Sequence, residues 1–231
     1  MTFSVVIPTL DEASGLADTL AAVREAAAAE SGRDVEVVVV DGGSADATVE
    51  IAASLGVRVL RAKGGRGAQL RAGALCTSGE ALVFLHADTW LPAGAFTAME
   101  GALADPEVAG GGFRKSFRDG PWGLRRGGEF RSAGFFRVTG RLFGDQAIFA
   151  RRTLLDTVGG VPSQPLMDDL ELCRRLRTSG RLVLVGSVVS TSGRRFAVHG
   201  LARTWWLMAR VLAGYWLGVE PEVLDRWYRK R

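Results

Sequence analysis

Four apolar runs rich in β-branched residues alternate with helix-like segments in the first half of the chain, and this alternation most constrains the fold. The runs occupy residues 3–9, 35–41, 57–62 and 81–88. Helical patterns lie near residues 12–30, 45–55, 66–77 and 92–104. Continuous Val/Ile/Leu strands joined by helical crossovers predict an α/β fold, in which a mostly parallel central sheet has helices on both faces and right-handed connections.

The second half is less regular but continues the α/β pattern. Strand-like segments are expected at residues 108–117, 146–151 and 181–189, and a Trp-rich helix at 201–219. We find no repeat, low-complexity linker or sharp change of composition. We therefore expect one domain over residues 1–200, built from halves at 1–104 and 105–200, followed by a helical C-terminal extension over 201–231.

Length and composition favour a globular protein of the cytoplasm. The chain has 231 residues, of which 47% are hydrophobic, enough to bury a sizeable core. Cys76 and Cys173 fit neither a zinc nor a redox spacing, which favours a reducing compartment. The N-terminus becomes acidic too early for a signal peptide, and no uncharged apolar run is long enough to span a membrane.

The positive charge of the chain is carried almost entirely by arginine. The formal net charge is +4, and Lys63, Lys115 and Lys230 are the only lysines. Arginine suits planar, bidentate recognition of phosphate and carboxylate groups. A compositional bias of the source organism explains the same pattern equally well. We expect no nucleic-acid partner.

Carboxylates cluster where the predicted strands end, which is where open parallel sheets bind ligands. Asp41 and Asp88 each terminate a strand whose other residues are almost wholly apolar. Burying a carboxylate there is costly unless something pairs with it. Asp11 and Glu12 are ambiguous, because a helix cap or a charge at a helix N-terminus accounts for them too.

A glycine-rich segment at residues 63–74 places Arg66 at the start of a helix. Free amides and the helix dipole at such a point suit a phosphate group. The segment is not a Walker loop, and no dinucleotide fingerprint follows the first strand. A purely structural turn therefore remains an open alternative.

Taken in order, these motifs resemble family 2 glycosyltransferases, which are inverting enzymes with the GT-A nucleotide-diphospho-sugar transferase fold. The resemblance is carried by SVVIPTLDE, VDGGSADAT, HAD, FARRTLLDTVGGVP with DDLELCRRLRTSG, and SGRRF. It implies that a nucleotide sugar is bound by Pro8, Thr9, Glu12, Asp41, Gly42, Arg66, Gln69, His86, Ala87, Asp88, Arg194 and Arg195. It also implies contacts to the acceptor or donor sugar from Asp145, Gln146 and Asp168.

More narrowly, LHAD, GRGAQ, GDQAIF and SGRRF together resemble a short bacterial subgroup often labelled arsenosugar-biosynthesis glycosyltransferases. The chain departs from the family pattern at two positions. His86 replaces the first Asp of the Asp-x-Asp motif, so its role as a ribose, metal or packing residue is open. Asp168 replaces the more usual Glu, which puts its acceptor contact in question.

The resemblance implies a metal-assisted hexosyltransferase reaction that uses a nucleoside-diphosphate sugar. Asp88 would bind a divalent cation, Mn²⁺ or Mg²⁺, under the leaving diphosphate. Asp169 would act as general base toward a hydroxyl of a small-molecule or lipid-linked acceptor, with its pKa raised by burial and by Asp168. The rival interpretations are an inactive glycosyltransferase fold, a nucleotidyltransferase and a non-enzymatic scaffold.

Two aromatic segments carry open alternatives. Trp122, Phe130, Phe135 and Phe136 either line the acceptor side or pack in the core. The final helix packs on the domain, mediates a homodimer, or lies on an anionic membrane surface. The basic tail at 226–231 modestly favours the membrane, which would place the protein at its inner face.

Overall fold

The protein forms a single eight-stranded sheet in a computed structural model that describes residues 1–30, 33–120, 122–125 and 127–229. The strands are β1 (Phe3–Thr9), β2 (Val35–Asp41), β3 (Arg58–Arg61), β4 (Ala81–Phe84), β5 (Thr89–Trp90), β6 (Val108–Phe117), β7 (Ile148–Arg151) and β8 (Arg181–Thr191). The first seven helices are α1 (Leu16–Ala28), α2 (Thr48–Ser54), α3 (Arg66–Leu75), α4 (Ala95–Leu103), α5 (Trp122–Arg125), α6 (Gly128–Thr139) and α7 (Arg152–Thr157). They are followed by α8 (Asp168–Leu176), α9 (Arg194–His199), α10 (Leu201–Trp216) and α11 (Pro221–Arg229).

The sheet confirms the predicted α/β class and explains how distant motifs meet. Its strand order is β3-β2-β1-β4-β7-β6-β8-β5, and β3, β2, β1 and β4 are mutually parallel. Strand β7 runs antiparallel to both β4 and β6, while β6 and β8 are parallel. Every long strand except β7 therefore points the same way, so the loops that follow these strands gather at one edge of the sheet.

Successive side chains of the buried strands point to opposite faces of the sheet and pack into two separate hydrophobic cores, as the two-residue period of a β-strand requires. Val5 and Ile7 pack on one face with α1 and α4, whereas Val6 packs on the other with α3 and α8. Helix α3 lies unusually close to the sheet at Gly73, where an added Cβ would be 2.3 Å from Val6 Cγ1. The sheet is thus covered on both faces, as predicted.

The strand predicted at residues 81–88 is shorter than expected. Strand β4 ends at Phe84, and the chain then turns, with the Thr89 amide donating to the His86 carbonyl at 3.1 Å. Burial of every side chain of β4 explains why the apolar run predicted a strand. The turn places the last three predicted strand residues, His86 to Asp88, in a loop at the carboxyl edge.

The Trp-rich helix predicted at residues 201–219 ends three residues earlier, and a further helix follows it within the predicted extension. Helix α10 ends at Trp216, and Gly218 takes a positive φ of 78° before Pro221 begins α11. The two helices pack tightly, because an added Cβ on Gly214 would be 2.9 Å from the Trp227 ring. Lys230 and Arg231 of the predicted basic tail lie outside the described residues. Within the described part of the chain, no helix is long and apolar enough to cross a membrane.

Candidate active site

The loops after β1 and β2 hold each other in place at the carboxyl edge. The Asp41 carboxylate is 2% exposed and accepts hydrogen bonds from the amides of Gly43 and Ser44, at 2.9 Å and 3.2 Å. Across the gap, Asp11 accepts from the Ala45 amide at 2.8 Å. The buried charge of Asp41 is therefore matched by donors from its own loop, which fixes the shape of the predicted nucleotide pocket.

Gln69 of α3 has a structural position rather than the ligand contact implied by the resemblance. Its Nε2 donates to the carbonyls of Thr9 and Val40, both at 2.7 Å, and the side chain is buried. The Gly42 amide also donates to the Thr9 carbonyl, at 2.9 Å. Gln69 thus ties β1, β2 and α3 together, and Pro8 and Thr9 are buried beneath this contact.

Ala87 also differs from the expectation that it leaves room for a nucleotide. Its methyl group belongs to the core, and its carbonyl accepts a 2.7 Å hydrogen bond from Thr19 Oγ1 of α1. Ala87 faces the core, in the direction opposite to its two neighbours, and its contacts fix the position of the turn. His86 and Asp88 on either side project toward the site.

Asp88 is a partly buried carboxylate with little compensation. The hydrogen bond that its side chain accepts within the described chain comes from Thr89 Oγ1, at a long 3.4 Å. Burial raises the pKa of Asp88, and the nearby charges of Glu12 and Asp145 act in the same direction, whereas His86 and Arg194 act against them without reversing the shift. A carboxylate in this situation fits a cation, since buried charges in proteins are normally paired or coordinate metals.

A divalent cation would need ligands besides Asp88. The described residues contain no group of three or more His, Cys, Asp or Glu side chains arranged to hold a metal. Mg²⁺-type ions are commonly bound by one or two carboxylates, with phosphate oxygens and water completing the shell. The donor set therefore fits a cation that arrives with a phosphate-bearing ligand.

Arg66 occupies the centre of the site, at the start of α3. Its Nη2 lies 2.8 Å from Asp168 Oδ1 and 3.1 Å from Asp169 Oδ2, at the start of α8. Its Nη1 lies 2.7 Å from His86 Nε2. The resemblance implies that Arg66 binds the donor, yet in this structure its guanidinium is fully engaged by protein groups.

The Arg66 contact resolves how His86 is used in this structure. A guanidinium can only donate, so His86 Nε2 accepts and the ring proton resides on Nδ1. Burial lowers the pKa of His86, and the charge of Arg66 lowers it further. His86 is therefore a neutral ring whose Nε2 lone pair supports Arg66 and does not face a metal.

The two carboxylates of α8 have opposite electrostatics. Burial raises the pKa of Asp168 in spite of Arg66. Burial also acts to raise the pKa of Asp169. The charge of Arg66 outweighs it, together with the amides of Gly144 and Leu170, which each donate to the carboxylate at 2.8 Å. The pKa of Asp169 is therefore held below its usual value. The expected rise of the Asp169 pKa was therefore wrong, because these donors stabilise the ionised form.

Asp145 and Gln146 lie in a short 3₁₀ turn, Gly144–Gln146, beside these groups. Asp145 accepts from Lys115 Nζ at 2.6 Å and 2.7 Å. Gln146 is completely buried and donates to the Phe113 carbonyl at 2.9 Å. Gln146 braces the turn from below, so its expected sugar contact is not available in this arrangement.

Lys115 and Gly144 are site residues that sequence reasoning missed. Lys115 is 8% exposed, and its ammonium lies between the rings of Phe117 and Phe143, 5.6 Å and 5.2 Å from their centroids. A Cβ on Gly144 would fall 2.5 Å from Arg66 Nη1 and 2.6 Å from His86 Nε2. The sequence did offer a signal for Lys115, since it is a lysine on an otherwise mostly apolar strand in a chain that prefers arginine.

The two arginines of the SGRRF motif point to different places. Arg194 Nη2 pairs with Glu12 Oε2 at 2.9 Å, which bridges α9 to the loop after β1. Arg195 stacks over the Tyr228 ring at 4.7 Å, away from the carboxylates. Arg194 and Glu12 thus stand at the predicted nucleotide site, and the structure does not bring Arg195 there.

The aromatic residues of the predicted acceptor segment divide into two groups. Trp122 and Phe130 are 71% and 85% exposed. Phe135 stacks on Phe143 with centroids 4.4 Å apart, and Phe136 packs against the core beneath α3 and α8. Packing thus accounts for two of the four side chains.

A comparison with protein families matches residues 4–154 to the model described as "Glycosyl transferase family 2". The chain belongs to glycosyl transferase family 2. The matched span covers the sheet edge described above up to α7, including the Asp41, Asp88 and Asp145 loops. No curated protein sequence matches the chain.

Solved structures show the same fold at low sequence identity. S. aureus TarS 1–349 has a TM-score of 0.65 and 17% identity, over 83% of this chain and 60% of its own. The mannosyltransferase PcManGT from Pyrobaculum calidifontis, solved with GDP-Man and Mn²⁺, has a TM-score of 0.69 and 21% identity, over 90% and 60%.

Glucosyl-3-phosphoglycerate synthase from Mycobacterium tuberculosis, solved with Mn²⁺, UDP and phosphoglyceric acid, has a TM-score of 0.65 and 20% identity, over 94% of this chain and 78% of its own. These likenesses confirm the GT-A fold. The chain spans about 60% of the length of TarS 1–349 and of PcManGT.

Proposed function

We propose that this family 2 protein is an inverting glycosyltransferase that moves a sugar from a nucleoside diphosphate to an acceptor hydroxyl. The proposal depends on two different carboxylates at one edge of the sheet. Asp88 accepts only one long hydrogen bond from the described residues, whereas Asp169 is stabilised in its ionised form by Arg66 and two amides. They are linked through His86 and Arg66. The reaction has the same two requirements: the leaving diphosphate gains negative charge, and the acceptor hydroxyl loses a proton.

The diphosphate would lie above Asp88. A divalent cation, Mn²⁺ or Mg²⁺, would be held there by Asp88 and phosphate oxygens, and when bound it supplies Lewis-acid neutralisation of the leaving group. The structures of PcManGT with GDP-Man and Mn²⁺ and of the phosphoglycerate synthase with Mn²⁺ and UDP support this choice. Arg194, which is half-exposed and pairs with Glu12 and Ser14, is placed to add positive charge.

Asp169 would accept the proton of the acceptor hydroxyl. Arg66 and two amides keep its carboxylate ionised at neutral pH, so no prior deprotonation is required. General-base assistance of this kind contributes roughly 10²–10⁴-fold to the rate. Attack by the hydroxyl on the face opposite the diphosphate is a single displacement, and it inverts the anomeric carbon without an enzyme nucleophile.

The acceptor would be a small molecule or a lipid-linked molecule on the side of Lys115 and Asp145. That ion pair lies next to Asp88 and Asp169 and offers both a donor and an acceptor to sugar or phosphate groups. A hexosyl donor and the subgroup label of arsenosugar biosynthesis remain predictions. A second candidate is an inactive fold that only binds a nucleotide sugar. It is favoured by the contacts of Arg66 with Asp168, Asp169 and His86 Nε2, because these groups then bind one another instead of a substrate.

One experiment separates these candidates. The protein is assayed for sugar transfer and donor hydrolysis with a panel of UDP-, GDP- and dTDP-sugars and Mn²⁺, and its thermal stability is measured with each nucleotide. We expect a rise of the melting temperature with one nucleotide class, since ligand binding to the native state stabilises it, together with turnover. Binding without turnover favours the inactive fold, and neither binding nor turnover overturns the proposal.

A further inference from the structure

The side of α10 that faces solvent is apolar except for two arginines. We name it the α10 face, and it consists of Ala202, Arg203, Trp205, Trp206, Ala209, Arg210, Ala213 and Trp216, all exposed. The helix contains no acidic residue. Its buried side is narrow, with Thr204, Val211 and Gly214 as the buried positions. Trp205 contacts the Phe196 ring at 5.4 Å, and Arg141 lies over the Trp216 ring at 4.4 Å, yet these side chains stay 40% and 49% exposed. Trp206 is 64% exposed, so packing within the chain leaves much of the tryptophan surface of the α10 face uncovered.

A cationic cleft adjoins the α10 face, between α10, α11 and the end of α9. It has a volume of about 160 Å³, and its lining includes Arg195, Arg203, Arg210, Trp206 and Trp227 but no acidic side chain. The Arg210 guanidinium lies 5.5 Å from the Trp206 ring and 4.4 Å from the Trp227 ring. Arg203 and Arg210 form no ion pair with any carboxylate of the described chain.

We infer that the α10 face docks on a membrane surface that contains anionic phospholipids, with a lipid phosphate group in the cationic cleft. Tryptophan is favoured where one end of a side chain meets apolar chains and the other meets water. Arginines beside it attract anionic headgroups. A symmetric contact between two copies would instead bring the arginines of both α10 faces together, which like-charge repulsion opposes.

The position of α10 gives this docking a consequence for the enzyme. Helix α9 precedes α10 directly, and its first residue, Arg194, pairs with Glu12 at the nucleotide site. Docking of the α10 face would thus hold the active-site edge beside the bilayer. The inference rests on the α10 face and the cleft alone, and it stands whether or not the proposed function is correct.

The test is co-sedimentation of the full chain with vesicles of phosphatidylcholine, with and without phosphatidylglycerol. We expect strong retention only with phosphatidylglycerol, and a decrease as NaCl is added, because salt screens exposed charges. The double variant Arg203→Gln/Arg210→Gln should bind about 20-fold more weakly. Arg58→Gln, which removes an exposed arginine at the opposite edge of the sheet, is the matched control and should bind normally.

A second variant tests the apolar part. Trp206 is 64% exposed, so Trp206→Ser should leave the melting temperature unchanged and weaken vesicle binding about tenfold. Leu75→Ser, at a 75% exposed position on α3, is its control. Equal retention on both vesicle types or by all variants overturns the inference. So does light scattering that shows a dimer which Trp206→Ser dissociates, since a second copy then covers the face. Nucleotide-induced thermal shifts, measured in parallel, report on the proposed function separately.

Discussion

The two acidic regions at the sheet edge are built on opposite principles. Around Asp88, a carboxylate is partly buried with two more acidic groups nearby, and its pKa is raised. Around Asp169, a carboxylate is buried with an arginine and two amides in contact, and its pKa is lowered. The regions are linked, since His86 of the first supports Arg66 of the second.

This difference indicates which charge the protein supplies itself and which it leaves to a ligand. Arg66 is an internal cation that keeps the proposed base ionised in the resting protein. Asp88 has no ion pair with a cationic side chain among the described residues, which is why we propose that a cation entering with the nucleotide compensates its charge. Substitutions of Asp169, Arg66 and Asp88 test this contrast.

Removing the charge of Asp169 should abolish transfer while leaving the nucleotide site intact. Asp169→Asn keeps the shape of the side chain but cannot take the acceptor proton, so kcat should fall roughly 10²–10⁴-fold. Nucleotide affinity, measured by calorimetry, should stay within the range of the wild type. Near-normal transfer by Asp169→Asn would remove it from the role of base.

Removing Arg66 should make the Asp169 region resemble the Asp88 region. Arg66→Gln leaves two buried carboxylates without their cation, and the free energy of unfolding should fall by about 3 kcal/mol in denaturant titrations. The wild-type pKa of Asp169 is lowered, so its stabilising contribution is present above its unfolded-state pKa and is lost as pH falls through the folded-state value.

The same variant should shift the acidic limb of the kcat/KM profile to higher pH, because the Asp169 pKa rises when the guanidinium is removed. Arg66→Lys is the control: it keeps the charge but not the forked geometry, so its limb should lie between the other two. Identical acidic limbs in all three proteins would show that Arg66 does not set the ionisation of Asp169.

Asp88→Asn should have the smallest and most selective effects. Without Mn²⁺ at neutral pH, we expect a free energy of unfolding about 0.5–2 kcal/mol higher than that of the wild type. A raised carboxyl pKa means that the folded state loses stability as pH rises through that pKa, so the gain should vanish in acid.

With Mn²⁺ present, the same variant should lose the metal-dependent part of nucleotide affinity, by about 100-fold if several kcal/mol of charge neutralisation are removed. Addition of EDTA to the wild type should reproduce this loss. Asp88 is not a metal ligand if nucleotide affinity is the same in both proteins with and without EDTA.

Periodicity predicted the elements well where burial is complete. Strands β1 and β2 match their predicted bounds, because all side chains of β1 and the last four of β2 are buried, so the apolar run itself marks the strand. The strand predicted at residues 81–88 was too long. Leu85 and Ala87 of the turn are also buried in the core, so the sequence stays apolar beyond the end of β4. The end of α10 was predicted at residue 219 rather than at Trp216 because the apolar pattern continues through Leu217 and Val219.

The site was predicted as a set of residues but not as a set of roles. The motifs nominated Asp88, Asp168, Asp169, Arg66 and His86, and in the structure Arg66 contacts Asp168, Asp169 and His86. Contact partners could not be read from the motifs: Gln69, Ala87 and Gln146 fit them, yet their side chains or carbonyls bind the protein itself. Lys115 was not predicted as a site residue because its ion-pair partner, Asp145, is distant along the chain.

The α/β architecture, the sheet edge at which the acidic loops gather and the identity of the carboxylates there could be read from the sequence, since these depend on local periodicity and strand direction. The three-dimensional arrangement was needed to learn which carboxylate has its charge matched by the protein and where the tryptophans of α10 face. Both depend on groups far apart in sequence: Arg66 reaches Asp169 across the sheet edge, and α11 covers one side of α10 and leaves the other exposed. Electrostatic energies follow distances and burial in space, which no local pattern encodes.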